Sequence, residues 1–480
     1  MRLRMPFRAV VALFVACLVA CGGSEARKPD VVVILIDTLR PDHLPMYGYE
    51  HATTPYLAEL AQRGVVLEHA YSASTWTAPA TASLFTGLYP NQHGITEGFF
   101  AQATRASRGQ KEPDEDLSKP PPTPREPKLS PTGEPLVRGA NVDADRWQGQ
   151  LSSTVSVSRL PDAVTTLPEL FARAGYSTFG ASTNVNITSR MGFDRGFTHF
   201  ADFTGPEHGK GAAAEVVLEE VRRWKAQRTS DAPYFMYLHF NDPHAPHRPR
   251  ERVYEPGSAP FAAERAAYDA ELRYLDGVLR QLGAELGWDE RTLICLVSDH
   301  GEEFGEHGGQ GHGFSIHSEL MRIALVFSWP AELPLGRRIT TPVSIIDVAP
   351  TLAHLAGLET PRHFAGVSLA SALASATPPP ERTLFALRFR QGGAQQLWAA
   401  QRGPWKLIVS ADGRELYDHS KDPFEQENLV DAHPEIVEAL SRELDAFRAL
   451  QPSSIGAKLE VELDAKALET LRQLGYTDTK

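Results

Sequence analysis

Positive charge is in short supply in this 480-residue sequence. Its 48 Lys and Arg face 60 Asp and Glu, a formal net charge of −12. That balance excludes a general basic surface for nucleic acid, and it gives no long-range pull on anions, so any anion site must be built locally. Cysteine is almost missing, with Cys17, Cys21 and Cys295 as the whole supply. Cys17 lies in the leader described next, so a structural disulfide within the mature chain is not expected. A membrane-spanning run is also lacking at the N-terminus. Ala9–Ala20, preceded by Arg2, Arg4 and Arg8, has the length of a signal-peptide core and is too short to cross a bilayer.

That run ends Leu18-Val19-Ala20-Cys21-Gly22, which resembles the lipobox of bacterial lipoproteins. The resemblance implies lipidation of Cys21, export, and residence in the bacterial cell envelope through a lipid anchor on the periplasmic side or cell surface. Gly22–Pro29 then reads as a short polar tether.

No internal repeat divides the rest, which is long enough for two or three units or for one large α/β domain. Asp30–Asp37 reads D-V-V-V-I-L-I-D, a β-branched run suited to a strand buried on both faces of a parallel sheet. Tyr234–Phe240 and Thr292–Val297 have the same character, and Tyr176–Ala181 and Ile323–Phe327 are further expected strands. Helices are expected at Thr53–Gly64, Ala212–Arg228 and Glu264–Leu286, and after the capping-box spacing Thr166–Glu169. Ser72–Gly87 is a polar turn entering a helix, with Pro79 in the first turn and Gly87 as its stop. A hydroxyl at Thr77 faces the positive end of that helix dipole, unless it merely caps the helix.

Between about Phe99 and Arg159 the composition changes. Lys111–Pro135 is dense in proline and charge and has no apolar period, as in a disordered or loosely packed insertion. Pro378–Pro380 mark a linker. Beyond it Leu397–Val409 and Leu416–Tyr417 read as strands of a smaller antiparallel unit, with a helix near Pro434–Leu450 and a polar tail. The expected division is a leader over 1–21, a tether over 22–29, a catalytic α/β domain over 30–378 interrupted at about 99–159, a subdomain over 379–450 and a tail over 451–480.

Chemistry gathers where strands end. Asp37, the loop His239-Phe-Asn-Asp-Pro-His-Ala-Pro-His247, and Asp299-His300 leave three separate strands, and Thr77 stands at a helix start. In a parallel sheet such ends share one rim. Asp37, Asp299 and His300 offer two hard oxygen donors and one imidazole, a set for a divalent metal that also holds the Thr77 oxygen.

Several stretches together resemble the sulfatase family of the alkaline-phosphatase superfamily: V-V-V-I-L-I-D-T-L-R-P-D-H-L (31–44), A-S-L-F-T-G-L-Y-P (82–90), T-L-P-E-L-F-A-R-A-G-Y (166–176), D-P-H-A-P-H (242–247) and S-D-H-G-E-E-F-G-E-H-G (298–308). R-G-P-W-K-L-I (402–408) and E-L-Y-D-H-S-K-D-P-F-E-Q-E-N-L (415–429) resemble that family's small C-terminal subdomain. The resemblance implies a large, mostly parallel sheet flanked by helices, with a smaller antiparallel α+β subdomain. It places metal ligation at Asp37, Thr77, Asp299 and His300 and catalysis at Thr77, His244 and His312. Arg40, His239, Asp242 and His247 then support the site or bind a second metal, and His307 and His317 are loop residues or second-metal ligands.

The departures from the family pattern bear on the reaction. Family members carry Cys-x-Pro-x-Arg, or Ser for Cys, whose first residue becomes formylglycine; here Thr77, Pro79 and Thr81 fill those places, and Thr cannot form the aldehyde. Thr38 replaces an Asp, His300 an Asn or Gln, and His312 a Lys, while Asn184 occupies the approximate place of the family's substrate-contacting, Lys-containing segment. Thr with Asp-His ligands is more like the phosphodiesterases, phosphotransferases and phosphonate hydrolases of the superfamily. Losing a carboxylate and gaining an imidazole favours Zn or Mn over Ca, with one ion rather than two. The leading expectation is a hydrolase of sulfate or phosphate esters on a small molecule or glycan. The alternatives are a phosphotransferase acting on glycan or lipid head groups and an inactive glycan-binding member.

Overall fold

The computed structural model describes residues 28–96, 154–203, 213–389, 396–450 and 458–462. The leader with Cys21, the tether as far as Arg27 and most of the 99–159 insertion lie outside the described residues. Among the described residues no helix is long and apolar enough to cross a membrane.

The molecule is built on an eight-stranded sheet in the order Arg337–Ile339, Gly64–Leu67, Leu325–Ser328, Thr292–Ser298, Asp30–Ile36, Tyr234–Phe240, Ser177–Ser182 and His199–Asp202. Only Leu325–Ser328 runs antiparallel to its neighbours; the other pairings are parallel. This is the large, mostly parallel sheet that the apolar runs predict.

The Asp30–Ile36 strand shows why its sequence is continuous rather than alternating. Val31, Val33 and Leu35 pack into one apolar layer, and Val32, Ile34 and Ile36 into the opposite one. Each such buried side chain contributes about 1.5–3 kcal/mol. A charge at Ile34 would therefore break the sheet at its centre. The helix Thr77–Thr86, buried along its whole length, lies in the first layer. Ala214–Gln227 and Ala262–Leu286 cover the second with Val217, Val221, Leu272, Leu275 and Leu279.

Four antiparallel strands, Leu384–Phe389, Gln396–Arg402, Trp405–Ser410 and Gly413–Asp418, form the C-terminal sheet in sequence order. The helix Pro434–Arg448 packs on it, with Phe447 stacked on Phe385 at 4.1 Å between ring centroids.

The structure differs from the sequence expectation at short elements. Ile323–Phe327 is not one strand: Arg322–Ile323 pairs with Ala70–Tyr71 in a separate sheet, and the chain joins the main sheet only at Leu325. Ala324 sits at the change, exchanging hydrogen bonds with Ser298. Within the segment expected to be a tail, Lys458–Glu462 pairs antiparallel with Thr154–Ser158 at the end of the insertion. Cys295 lies buried in the Thr292–Ser298 strand as a free thiol.

Candidate active site

The Asp30–Ile36 strand is flanked by Tyr234–Phe240 and Thr292–Ser298 in parallel register, with Leu35 opposite His239 and Ile36 opposite Ser298. One step past this register, Asp37 and Asp299 leave adjacent strands side by side. Both are fully buried. Thr38 then adopts φ +55°, which costs a β-branched residue about 1–3 kcal/mol. The turn aims Thr38 N at Asp299 Oδ1, at 3.2 Å. Gly301 is required by a different approach: a Cβ there would lie 1.9 Å from Glu319 O.

Thr77 is the first residue of its helix rather than its cap. Trp76 holds the cap position and makes no capping bond. The Thr77 hydroxyl is thereby left for the rim, where Oγ1 lies 3.5 Å from Asp37 Oδ2 and 3.4 Å from His300 Nε2.

The donors point inward. His300 Nδ1 lies 2.9 Å from Gly301 O, so it donates there and leaves the Nε2 lone pair facing Asp299 Oδ2 at 3.4 Å and Asp37 Oδ1 at 3.9 Å. His239 Nε2 lies 3.6 Å from Asp37 Oδ2. Asp37 Oδ1, Asp299 Oδ2 and His239 Nε2 are buried and lack hydrogen-bond partners. Asp37, His239 and Asp299 each bring a ligand atom within 4.8 Å of the others. Unpaired acceptors buried this close are costly unless a cation sits among them. The mixed oxygen and imidazole set fits a transition metal.

Electrostatics supports the same reading. Burial, and then the Asp299 charge, push the Asp37 carboxyl well above its usual range. Burial lowers His239 to about 4 and also lowers His300, so both rings are neutral and able to ligate.

His312 stands across the site, its ring 4.5 Å from that of His300 and 4.8 Å from that of His244. Burial works against charge on His312, but Glu302, 3.2 Å from its Nδ1, overcomes this and raises its pKa. His244 behaves oppositely. Desolvation lowers it to about 4, and its Nδ1 is bonded to Ala245 O at 2.5 Å.

The remaining expected residues sit further out. Arg40 is tied to Asp42, Glu306 and Glu302 O, an ion-pair brace under the 299–306 loop. Asp242 Oδ1 accepts from Ala214 N at the start of a helix, and burial raises its pKa to about 7. His247 stands with its ring 6.0 Å from Tyr268. The sequence did not point to Glu302 or Asn241. Asn184, whose role the resemblance left unassigned, donates from Nδ2 to Asp37 Oδ2 at 2.6 Å and to Asn241 Oδ1 at 2.9 Å, fixing the carboxylate.

His307, His317 and Glu319 form a second group of ligand-type side chains at the seam with the C-terminal sheet. His307 is bonded through Nδ1 to Glu319 and through Nε2 to Glu425 O, and its ring stacks on His317 at 3.8 Å and 7°.

Comparisons with known proteins bear on the family and the fold. The sulfatase sequence profile matches residues 29–113 and 143–358, and the profile of the N-sulphoglucosamine sulphohydrolase C-terminal region matches 305–450. The Delta 4,5-hexuronate-2-O-sulfatase of Bacteroides thetaiotaomicron is 22% identical, covering 86% of this chain and 87% of its own. Arylsulfatase A of Homo sapiens is 24% identical, covering 91% and 92%. A structure solved in complex with its substrate D-glucosamine-2-N,6-O-disulfate gives a TM-score of 0.65 at 16% identity, over 88% of this chain and 98% of the other. The phosphonate monoester hydrolase of Agrobacterium radiobacter gives 0.62 at 19%, over 88% and 96%.

Proposed function

The chain belongs to the sulfatase family, and from that premise we propose that it is a metal-dependent hydrolase that opens a sulfate or phosphate ester with Thr77 Oγ1 as nucleophile. The observation that carries this reading is the setting of Thr77, a buried hydroxyl beside Asp37 and His300 and next to three buried acceptors without partners. Asp37, Asp299, His300 and Thr77 would hold the metal, with His239 Nε2 within reach. A divalent cation bound there offsets the paired carboxylates and lowers the pKa of the Thr77 hydroxyl.

The chain's own groups account for the rest. Thr77 releases its hydroxyl proton to solvent and attacks the phosphorus or sulfur in line with the bond to the leaving oxygen, forming one O–P or O–S bond as the other breaks, and it regains a proton from solvent when it is later displaced. His312, whose pKa the Glu302 carboxylate raises, gives the Nε2 proton to the departing oxygen. His312 suits this task better than His244: the bond to Ala245 O uses the one N–H of a neutral His244, leaving its Nε2 an acceptor toward substrate. Water then displaces Thr77 from the adduct, and the now neutral His312 takes the water's proton. The second displacement follows from the residue itself, because Thr has no aldehyde hydrate to expel the group.

The glycan-active sulfatases among the relatives support a sugar-borne ester as substrate. The leader and Cys21 support an exported, envelope-anchored protein, and Cys21→Ser is expected to move it from the membrane fraction to the soluble one. The direct test is Thr77→Ala assayed on an aryl sulfate, a phosphate monoester, a phosphodiester and a phosphonate ester. Turnover on the preferred ester should fall by at least about 10³-fold with melting temperature retained. Undiminished turnover would remove Thr77 from the mechanism.

A further inference from the structure

The C-terminal sheet reaches the nucleophile through its edge strand. Leu387 N donates to Ala73 O at 3.0 Å, tying Leu384–Phe389 to the turn that leads into Thr77. The next residue, Arg388, is 2% exposed. Its Nε donates to Gly313 O at 2.6 Å, and its guanidinium carbon lies 4.7 Å from the centroid of the Trp76 ring. Trp76 directly precedes Thr77, and Gly313 directly follows His312.

These two neighbours also touch each other. Gly313 has φ +79°, and a Cβ there would fall 2.7 Å from Trp76 Cε2, so the loop backbone lies against the indole. The indole in turn meets the His312 ring edge-on at 5.8 Å. Arg388 therefore holds the residue beside the nucleophile and the residue beside the proton donor at once. A planar guanidinium can donate in its plane while an aromatic ring covers its face; an ammonium cannot do both in the same way.

We propose that Arg388 is a positioning residue, supplied by the C-terminal sheet, that fixes His312 relative to Thr77 by clamping Gly313 O against the Trp76 ring. The proposal rests on the assignment of Thr77 as nucleophile and His312 as proton donor. Loss of the clamp lets the donor drift, and a misplacement of about 1 Å costs on the order of 10²-fold in rate. Such a loss falls on esters whose leaving oxygen needs the proton. An aryl oxygen that departs readily as an anion is spared.

The test compares Arg388→Met, Arg388→Lys, His312→Gln and the double variant Arg388→Met/His312→Gln in the full chain, on a 4-nitrophenyl ester and an alkyl ester of the preferred acid. For Arg388→Met, kcat on the alkyl ester is expected to fall about 30-fold and on the 4-nitrophenyl ester less than about threefold, with KM unchanged. Arg388→Lys should recover part of the loss and serves alone if the Met variant does not fold. In the His312→Gln background, Arg388→Met should add less than about twofold. Equal losses on both esters, or losses that multiply in the double variant, overturn the role of Arg388. A His312→Gln enzyme that treats both esters alike overturns the donor assignment and the proposal with it, so the two failures are told apart.

Discussion

Two clusters of histidine and carboxylate lie at opposite ends of the loop from Asp299 to Glu319, and they are built to opposite rules. At the sheet rim, Asp37 Oδ1, Asp299 Oδ2 and His239 Nε2 are buried without partners. At the seam with the C-terminal sheet the lone pairs and protons are mostly spent. His307 uses both nitrogens, on Glu319 and on Glu425 O. His317 Nε2 lies 3.1 Å from Glu415, and Glu425 receives Lys406, His419, Ser318 Oγ and Ser318 N. Both clusters meet a metal site's requirement for ligand-type residues. The stacked rings of His307 and His317 keep their lone pairs parallel rather than convergent, so the seam is an ion-paired clamp. Ligand count does not separate the two; the unpartnered buried ligand atoms do, three converging at the rim against His317 Nδ1 at the seam.

The largest expected effect tests that distinction at the rim. Asp299→Asn or Asp37→Asn should remove bound transition metal and lower turnover by about 10³-fold or more, while His317→Gln keeps the metal content of the parent. Elemental analysis of the purified variants beside kinetic assays reads both. Metal lost from His317→Gln would erase the contrast.

Next in size is the seam itself. Glu425 is fully buried against Lys406 Nζ at 2.8 Å and His419 Nε2 at 2.5 Å, and it holds φ +56°. Removing its charge strands a buried ammonium, a change that costs about 3–5 kcal/mol. Glu425→Gln is therefore expected to lower denaturant stability by that amount, where Asp299→Asn, which relieves carboxylate repulsion in the metal-free protein, does not. Equal losses would mean that the rim carboxylates are as fully paired as those of the seam.

How far the sequence discloses these regions depends on the range of the interactions. Asp30–Ile36, Tyr234–Phe240 and Thr292–Ser298 are legible because burial on both faces demands continuous apolar residues, and Asp37 and Asp299 are legible because they end such runs. Gly64–Leu67, His199–Asp202 and Arg337–Ile339 are too short to carry a period. Asn184, Glu302 and Arg388 gain their roles from partners far along the chain or from a loop's return: Asn184 meets Asp37, Arg388 meets Gly313, and Glu302 meets His312 only after the 303–311 turn. The seam's His307 and His317 stand in the same Gly- and His-rich stretch as His312. Only the fold sends the former to a clamp and the latter to the rim.

The smallest expected effect concerns pH, and it again sets seam against rim. His307 faces Glu319 and Glu425 O, stacks on His317, and has its own N–H on Glu303. Burial, the largest single influence, lowers its pKa, but the bond to Glu319, the Glu319 charge and the contacts with Glu425 together outweigh burial and raise it to about 9. A raised pKa means that the folded state holds the proton more tightly than the unfolded one. The stabilisation is then complete below the ordinary imidazole value of about 6.5 and drains away as pH rises through about 9. His239 and His300 have lowered pKa values, so their neutral rings add stability that is present above about 6.5 and lost as pH falls. In the metal-free protein the melting temperature of the parent relative to His307→Gln should shrink between pH 7 and 9. Relative to a His239→Gln variant it should shrink between pH 6.5 and 4. A parent-minus-variant difference for His307 that stays flat to pH 9 would show that the seam histidine is neutral, and the clamp would then rest on the contacts of Glu425 with Lys406, His419 and Ser318.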